Sequence, residues 1–416
     1  MRIPILSRAL SLNVRLQTFQ ALANPIYARL WWTNWLLYVA RMMELVVLSW
    51  LVLEITDSPS QVALVGVSRM LPMFLLGLVA GSLADRFSKV RILVGVQGLN
   101  LIVGCSALAL LISGNMEVWH VYLAIFLTGI GWTLDFAARR SYYSELFAPA
   151  ELVNAVSLDT ASLTGSMMLG PLLGGSLISL VGFSGTYAVM VAMYLVGFAV
   201  ILSLVRVGIT RHPAPKNSIV SQVTEAVRVV RGNRTVWATF LVTVVLNFFG
   251  FPYMQMVPVI ARDVLGVGEV LFGVLMSSAG MGAVIGSLVI ASNKVSRQGT
   301  VYSLGASLML AALFLFAFSQ VYVISVVLLF LAGLGTSGFA TMQVTIALRA
   351  VSPEMRGRAM GAIALGIGAS PMGMLLVGQL AEALNTQVAL ALLTGNGLLV
   401  MTILRWRLPE LRDRET

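Results

Sequence analysis

The chain has 416 residues, 58% hydrophobic and 11% charged, with a formal net charge of +10 and a mean hydropathy of +0.91. Soluble domains carry about 25% charged residues, so the composition excludes a water-soluble globule and predicts a polytopic, all-α membrane protein. One cysteine, Cys105, excludes a disulfide framework or thiolate metal site, and two histidines, His120 and His212, argue against a histidine-ligated metal.

Residues 1–29 carry Arg2, Arg8 and Arg15 but no uninterrupted apolar run of the kind a cleaved signal peptide needs, and read as a cytoplasmic arm. Apolar segments then recur near 30–53, 61–83, 90–113, 118–138, 154–180 and 184–206. After a polar stretch at 207–234 they resume near 236–260, 268–291, 299–318, 322–347, 357–382 and 387–404. Each is close to the ~20 residues that cross a bilayer. The prediction is twelve transmembrane helices in two six-helix bundles, 30–206 and 235–405, joined by a cytoplasmic linker at 207–234 and followed by a cytoplasmic tail at 406–416. Turn signals such as Asp57-Ser-Pro59, Ser113-Gly-Asn115 and Gly182-Phe-Ser-Gly185 separate the spans.

The bases fix the orientation. With the N-terminus inside, all 27 Lys and Arg except Arg41, Arg69 and Arg262 fall in the arm, the inner loops, the linker or the tail. The outer loops hold Glu54, Asp57, Glu117, Asp263 and Glu269. The positive-inside rule therefore predicts cytoplasmic termini in a cell's inner membrane, and it accounts for the basic balance without a nucleic-acid partner. A weak repeat supports two equal halves: Gly81-Ser-Leu and Lys89-Val90 return as Gly286-Ser-Leu and Lys294-Val295, and Pro171 has a counterpart in Pro371. Such duplication is the trace of a transporter whose bundles rock about a central site. Chance similarity between apolar segments is the plainer explanation.

The turn between the second and third spans reads Gly81-Ser-Leu-Ala-Asp-Arg-Phe-Ser-Lys-Val-Arg91. It resembles the loop 2–3 signature of the major facilitator superfamily, G-x-L-x-D-R-x-G-[RK]-[RK]-x-x-L. Gly81, Leu83, Asp85, Arg86, Lys89 and Leu93 match, Ser88 replaces the second glycine, and the second base is displaced to Arg91. An ordinary charged turn is the plainer alternative. The resemblance covers residues 30–405 and implies two pseudo-symmetric six-helix bundles, with the Asp85 loop locking the halves on the cytoplasmic side against the start of the eleventh span.

The fifth span holds Gly165, Gly170, Pro171, Gly174 and Gly175. Small residues let helices approach to backbone distance, and proline removes a helix hydrogen bond. The order is similar to the fifth-span motif of the drug–proton antiporter families, which implies an exporter. A plain packing seam is the alternative. In the fourth span those families place R-x-x-Q-G-x-G; here Gly129 and Gly131 fit, but Ile125 and Thr128 stand at the Arg and Gln positions. This departure moves the resemblance toward macrolide and siderophore exporters and leaves the coupling ion open.

Ionisable groups inside hydrocarbon cost roughly 3 kcal/mol or more each and need a reason. The first span carries Arg41 and Glu44, three apart and so on one helix face, the second Arg69, the fourth Asp135 and the fifth Asp159. Burial disfavours a carboxylate's ionised form and a nearby cation favours it, so a partner that moves between two states switches proton binding. Glu44 is the expected coupling carboxylate, with Arg41 or Arg69 as counter-ion and Asp135 as a further candidate. A static Glu44–Arg69 ion pair is the competing reading. Arg139 and Arg140 are read as positive-inside residues. The seventh span contains Pro252, Pro258, Met254 and Met256, and an adaptable apolar wall is expected there. Hydrogen bonds to substrate are expected from Asn34, Tyr38, Asn247, Tyr253, Gln255 and Gln343, although amides in membrane helices also serve packing.

No G-x-x-x-x-G-K-[ST] is present, nor any Ser/His/Asp or Cys/His set, so neither ATP-driven pumping nor enzymatic hydrolysis is expected, and no cofactor. The sequence predicts a monomeric secondary active transporter that exports a moderately hydrophobic, drug-, macrolide- or siderophore-like molecule by alternating access, in exchange for protons. The alternatives are a lipid flippase, a nutrient symporter or a non-transporting solute sensor.

Overall fold

The computed structural model describes residues 19–205, 228, 231–293, 295–352 and 355–412, without the side chains of residues 78–79, 81–82, 84–86, 149–150 and 357. Most of the arm, most of the linker, Lys294, residues 413–416 and the side chains of Gly81, Asp85 and Arg86 therefore lie outside the described residues.

Helix α1 spans Pro25–Thr56. Its start is fixed by Asn24, whose side-chain oxygen accepts from the Ile26 and Tyr27 N–H groups, with proline at the first helical position. Residues 25–29, expected in the arm, belong to this helix. It ends at Asp57, which takes a left-handed φ of 52°. Helices α2 (Pro59–Arg86), α3 (Lys89–Ser113), α4 (Val118–Leu146) and α5 (Pro149–Ser203) complete the first half. The second half contains α6 (Arg234–Val245), α7 (Tyr253–Val259), α8 (Glu269–Ser292), α9 (Gln298–Ala317), α10 (Tyr322–Arg349), α11 (Arg356–Ile367), α12 (Ser370–Ala383) and α13 (Thr386–Arg407).

Among the described residues, eleven helical stretches are long and apolar enough to cross a membrane, against the twelve expected. The difference lies in α5, whose 55 residues run the fifth and sixth segments together. Gly182 interrupts it with φ 68° and ψ −178°, a conformation open to glycine. A straight helix would hold Leu158 and Ile201 about 65 Å apart, yet both lie in one core cluster with Tyr27, Val90 and Tyr143. The chain thus doubles back at Gly182, and α5 is a hairpin of two arms. The seventh stretch is broken differently: π-helical turns at Leu246–Gly250 and Ile260–Val264 flank α7. Pro252 and Pro258 lack the N–H groups of a regular ladder, and wider turns take up the register.

Two helix pairs join the halves, α2 with α12 and α5 with α8. Matching the spans of the second half to the first in order, α8 corresponds to α2 and α12 to the first arm of α5. The two interfaces are therefore one arrangement repeated, in agreement with the sequence duplication. At the end remote from the termini a clasp closes over the α1–α2 turn. There Arg262 pairs with Asp57 and donates to the Leu53 carbonyl at 3.1 Å. Glu382 accepts from the Ser58 hydroxyl at 2.7 Å and from the Ser60 N–H at 3.3 Å. Trp50 stacks on Phe272 across the same end, with ring centroids 5.1 Å apart.

Candidate functional site

Apart from Lys89 at the α2–α3 turn, the first half buries its charges in three groups. Glu44 is 3% exposed and accepts one hydrogen bond, from the Thr128 hydroxyl at 3.1 Å. Arg69 donates to the backbone carbonyl of Arg41 at 3.0 Å, and the Arg41 guanidinium lies 4.5 Å over the Trp132 ring. Among the described residues no ion pair joins Glu44 to either arginine. Both act on Glu44 electrostatically, but the static Glu44–Arg69 pair is not formed. Thr128, the residue at the departed Gln position, is what touches the carboxylate.

Asp135 binds Arg139 through two parallel bonds of 2.8 and 3.0 Å, and Arg139 also donates to the Leu30 carbonyl at 3.1 Å. Arg139 is 2% exposed, which corrects the positive-inside reading given to it. The cause is the four-residue spacing, which sets acid and base on one face of α4, turned inward against α1. Asp135 is thereby committed to a structural partner and does not face an open cavity.

Asp159 accepts from Asn34, from the Tyr143 hydroxyl at 3.1 Å and from the Tyr38 hydroxyl at 3.3 Å. Asn34 and Tyr38, expected to contact substrate, instead tie α1 to the first arm of α5. Two of the second-half candidates, Asn247 and Gln343, are also engaged. Asn247 donates to the Thr243 carbonyl at 2.9 Å, and Gln343 donates to the Thr243 hydroxyl at 2.6 Å. Tyr253 belongs to the core of the second half, and Gln255 packs directly on Gly66 of α2. Met256 is wholly buried between α2, α12 and α13.

Between the halves, toward the end bearing the termini, lies a cavity of ≈ 180 Å³. Its wall is Met73, Phe74, Trp132, Phe136 and Leu365, with Thr133 and small residues of α2 and α11. None of the six expected substrate residues lines it. The aromatics that do were missed, although Trp132 and Phe136 are four apart and stack with centroids 6.1 Å apart. Trp132 is shared: it lines the cavity and its ring also carries Arg41.

The fifth-span glycines form two seams. A Cβ at Gly170 would strike Met42, and Gly174 lies against Met43, both on α1. Gly175 faces the Glu269 carbonyl and Gly273 of α8, and Gly273 faces the Pro171 carbonyl in return. The α5–α8 contact between the halves is therefore backbone on backbone. Gly165 is the exception, with open space beside it. It sits five residues before Gly170, off that face; the buried residue one turn before Gly170 is Ser166. In the α2–α3 turn, Lys89 is buried and pairs with Glu145 at 2.6 Å, joining α3 to the end of α4, while Arg91 is exposed.

Residues 16–416 match the family model described as transmembrane secretion effector, within the major facilitator superfamily. The chain belongs to this family. It is a multi-pass membrane protein and a secondary transporter of small molecules, not an enzyme. The transporter is 27% identical over 388 residues to the multidrug efflux pump Tap of Mycobacterium tuberculosis, covering 89% of this chain and 90% of the pump. It is 22% identical over 349 residues to the staphyloferrin A transporter of Staphylococcus aureus, covering 83% and 87%. Its fold is similar to that of a POT family transporter solved with 5-aminolevulinic acid, with a TM-score of 0.77 at 10% identity over 93% and 96% of the two chains.

Proposed function

We propose that this transporter exports a moderately hydrophobic small molecule across the inner membrane in exchange for protons. The chain crosses twelve times, α5 counting twice, with both termini cytoplasmic. The end bearing the termini is then the cytoplasmic end, and the cavity behind Trp132 is the loading side of an exporter. The observation that carries the reading is Glu44: a buried carboxylate with one hydroxyl donor, no ion pair, and two arginines within electrostatic range. A group held this way stays free to exchange a proton, whereas Asp135 is locked to Arg139. The fifth-span glycine order and the efflux function named for Tap support outward transport. The loop of Gly81, Asp85 and Arg86 is assigned to gating on the cytoplasmic side.

The test uses inside-out vesicles with an acidified lumen and a pH-sensitive dye, challenged with macrolides, lipophilic cations, siderophores and nutrients. Proton release on adding one compound class, reduced at least tenfold in Glu44→Gln, is the expected result. Undiminished proton-driven transport by Glu44→Gln would remove the coupling role. A second reading, lipid flipping, is favoured by the apolar cavity wall. It predicts silence across the soluble panel and movement of labelled phospholipid in liposomes.

A further inference from the structure

The interior of the first half holds a set of polar groups that neither the cavity nor the fold explains. Gln97 and Asn100 on α3 are wholly buried, and among the described residues all four of their side-chain polar atoms lack a hydrogen-bond partner. The Tyr187 and Tyr194 hydroxyls, on the second arm of α5, are buried and unpartnered as well, as is the Arg41 Nε. Buried polar atoms are paired in more than about 90% of cases, and each orphan costs roughly 1–3 kcal/mol. Five side chains in one bundle is a large departure.

Gln97, Asn100 and Tyr194 lie close to one another where α3 meets α4 and the second arm of α5. Gln97 and Asn100 are three apart, Tyr187 and Tyr194 seven apart, and Arg41 and Glu44 three apart, each pair on one helix face. Glycines stand opposite the polar tips. A Cβ on Gly131 of α4 would lie 2.9 Å from the Asn100 Oδ1, and Gly131 is three residues beyond Thr128, the donor to Glu44. A Cβ on Gly197 would lie 3.9 Å from the Gln97 Oε1, and one on Gly104 would lie 3.2 Å from the Tyr194 ring. Glu44 acts electrostatically on both tyrosines. The charged and titratable groups around Glu44 are therefore Arg41 from its own helix, Arg69 from α2, and Tyr187 and Tyr194 from α5; α3 contributes only neutral amides. Unpartnered donors and acceptors on neighbouring helices are what a water molecule with two to four partners requires.

We propose that this cluster is a water-binding site that relays protons to and from Glu44. A hydronium formed at the end of the cluster remote from Glu44 passes its excess proton from oxygen to oxygen. The last water gives that proton to a Glu44 carboxylate oxygen and is left neutral, and the reverse sequence discharges it. The relay rests on Glu44 being the coupling carboxylate; occupancy by water does not.

The test uses the full-length protein in lipid nanodiscs. Infrared difference spectra after transfer from H₂O to D₂O follow exchange at the Glu44 carboxyl, whose band is assigned by its loss in Glu44→Gln. The variant Gln97→Met with Asn100→Leu removes the amides at similar volume, and Tyr194→Phe removes one hydroxyl. Exchange is expected to slow at least tenfold in the double variant and severalfold in Tyr194→Phe, with no rise in the unfolding midpoint of either. Should the double variant not fold, Tyr194→Phe carries the test alone. Unchanged exchange together with a raised midpoint, the response of dry and unpartnered groups to removal, would overturn the site. If no Glu44 band exists at any pH, the coupling reading falls and the relay with it. Occupancy is then decided by cryo-EM density: ordered water at the Asn100 and Tyr194 tips upholds the water site, and its absence at water-resolving resolution overturns it.

Discussion

The two halves share a fold and differ inside. The first buries Arg41, Glu44, Lys89, Asp135, Arg139 and Asp159. Among the described residues the interior of the second half buries no charged side chain; its polar groups are hydroxyls and amides such as Thr243, Tyr302 and Gln343. Charge in a membrane is costly and is retained where it works, so the proposed protonation chemistry is assigned to the first half. Neutral bonds of the second-half kind serve as framework. Within the first half the same distinction recurs: Arg139 and Asp135 are saturated by each other, while Glu44 is not.

The largest expected effect comes from breaking the saturated pair. Arg139→Ala leaves Asp135 buried alone, and a loss of about 3–5 kcal/mol is expected, read as a lower unfolding midpoint in detergent. Replacing both, Arg139→Met with Asp135→Leu, recovers most of it; a single variant as stable as wild type would show that the pair carries no load. Next is the seam between the halves. Gly175→Leu drives a side chain into the Glu269 backbone, and transport is expected to fall at least tenfold, with Gly165→Leu, which faces open space, within twofold of wild type. Equal transport by both would separate the seam from turnover. A smaller change follows from Arg262→Gln. An ion pair at an exposed carboxylate is worth about 1 kcal/mol or less, so the unfolding midpoint should hardly move, while thiol labelling of Thr56→Cys in a Cys105→Ser background accelerates. The smallest effect tests the framework half: Gln343→Leu removes one neutral bond to Thr243, about 1 kcal/mol, and transport should stay within twofold. A larger transport loss there would bring the second half into the chemistry.

Hydropathy and charge alone delimit almost every membrane segment, because burying some twenty apolar residues dominates every other local term. What they miss is continuity. Gly182-Phe-Ser-Gly185 reads as a loop between spans, yet helix resumes on both sides of a single residue. The site was legible as residue types and not as partners. Asn34 looks the same in sequence whether it meets a ligand or Asp159, 125 positions away. Arg139 was misplaced by counting bases near an inner loop, although its spacing from Asp135 carried the answer. Gly165 was counted for its type, where the helical turn picks out Ser166. Met73, Phe74 and Phe136 escaped notice because a cavity wall and a lipid-facing surface use the same apolar side chains.

The hairpin at Gly182 has a mechanical consequence. One arm of α5 is clamped to α8 by backbone contact, and the other brings Tyr187 and Tyr194 to α3. A hinge one residue long has no slack to absorb a displacement, so α5 works as a bell crank. In the proposed alternating access, a tilt of the halves about the seam would carry torque to the tyrosines in the same stroke. Spacer residues inserted at this pivot would uncouple the two arms without touching either.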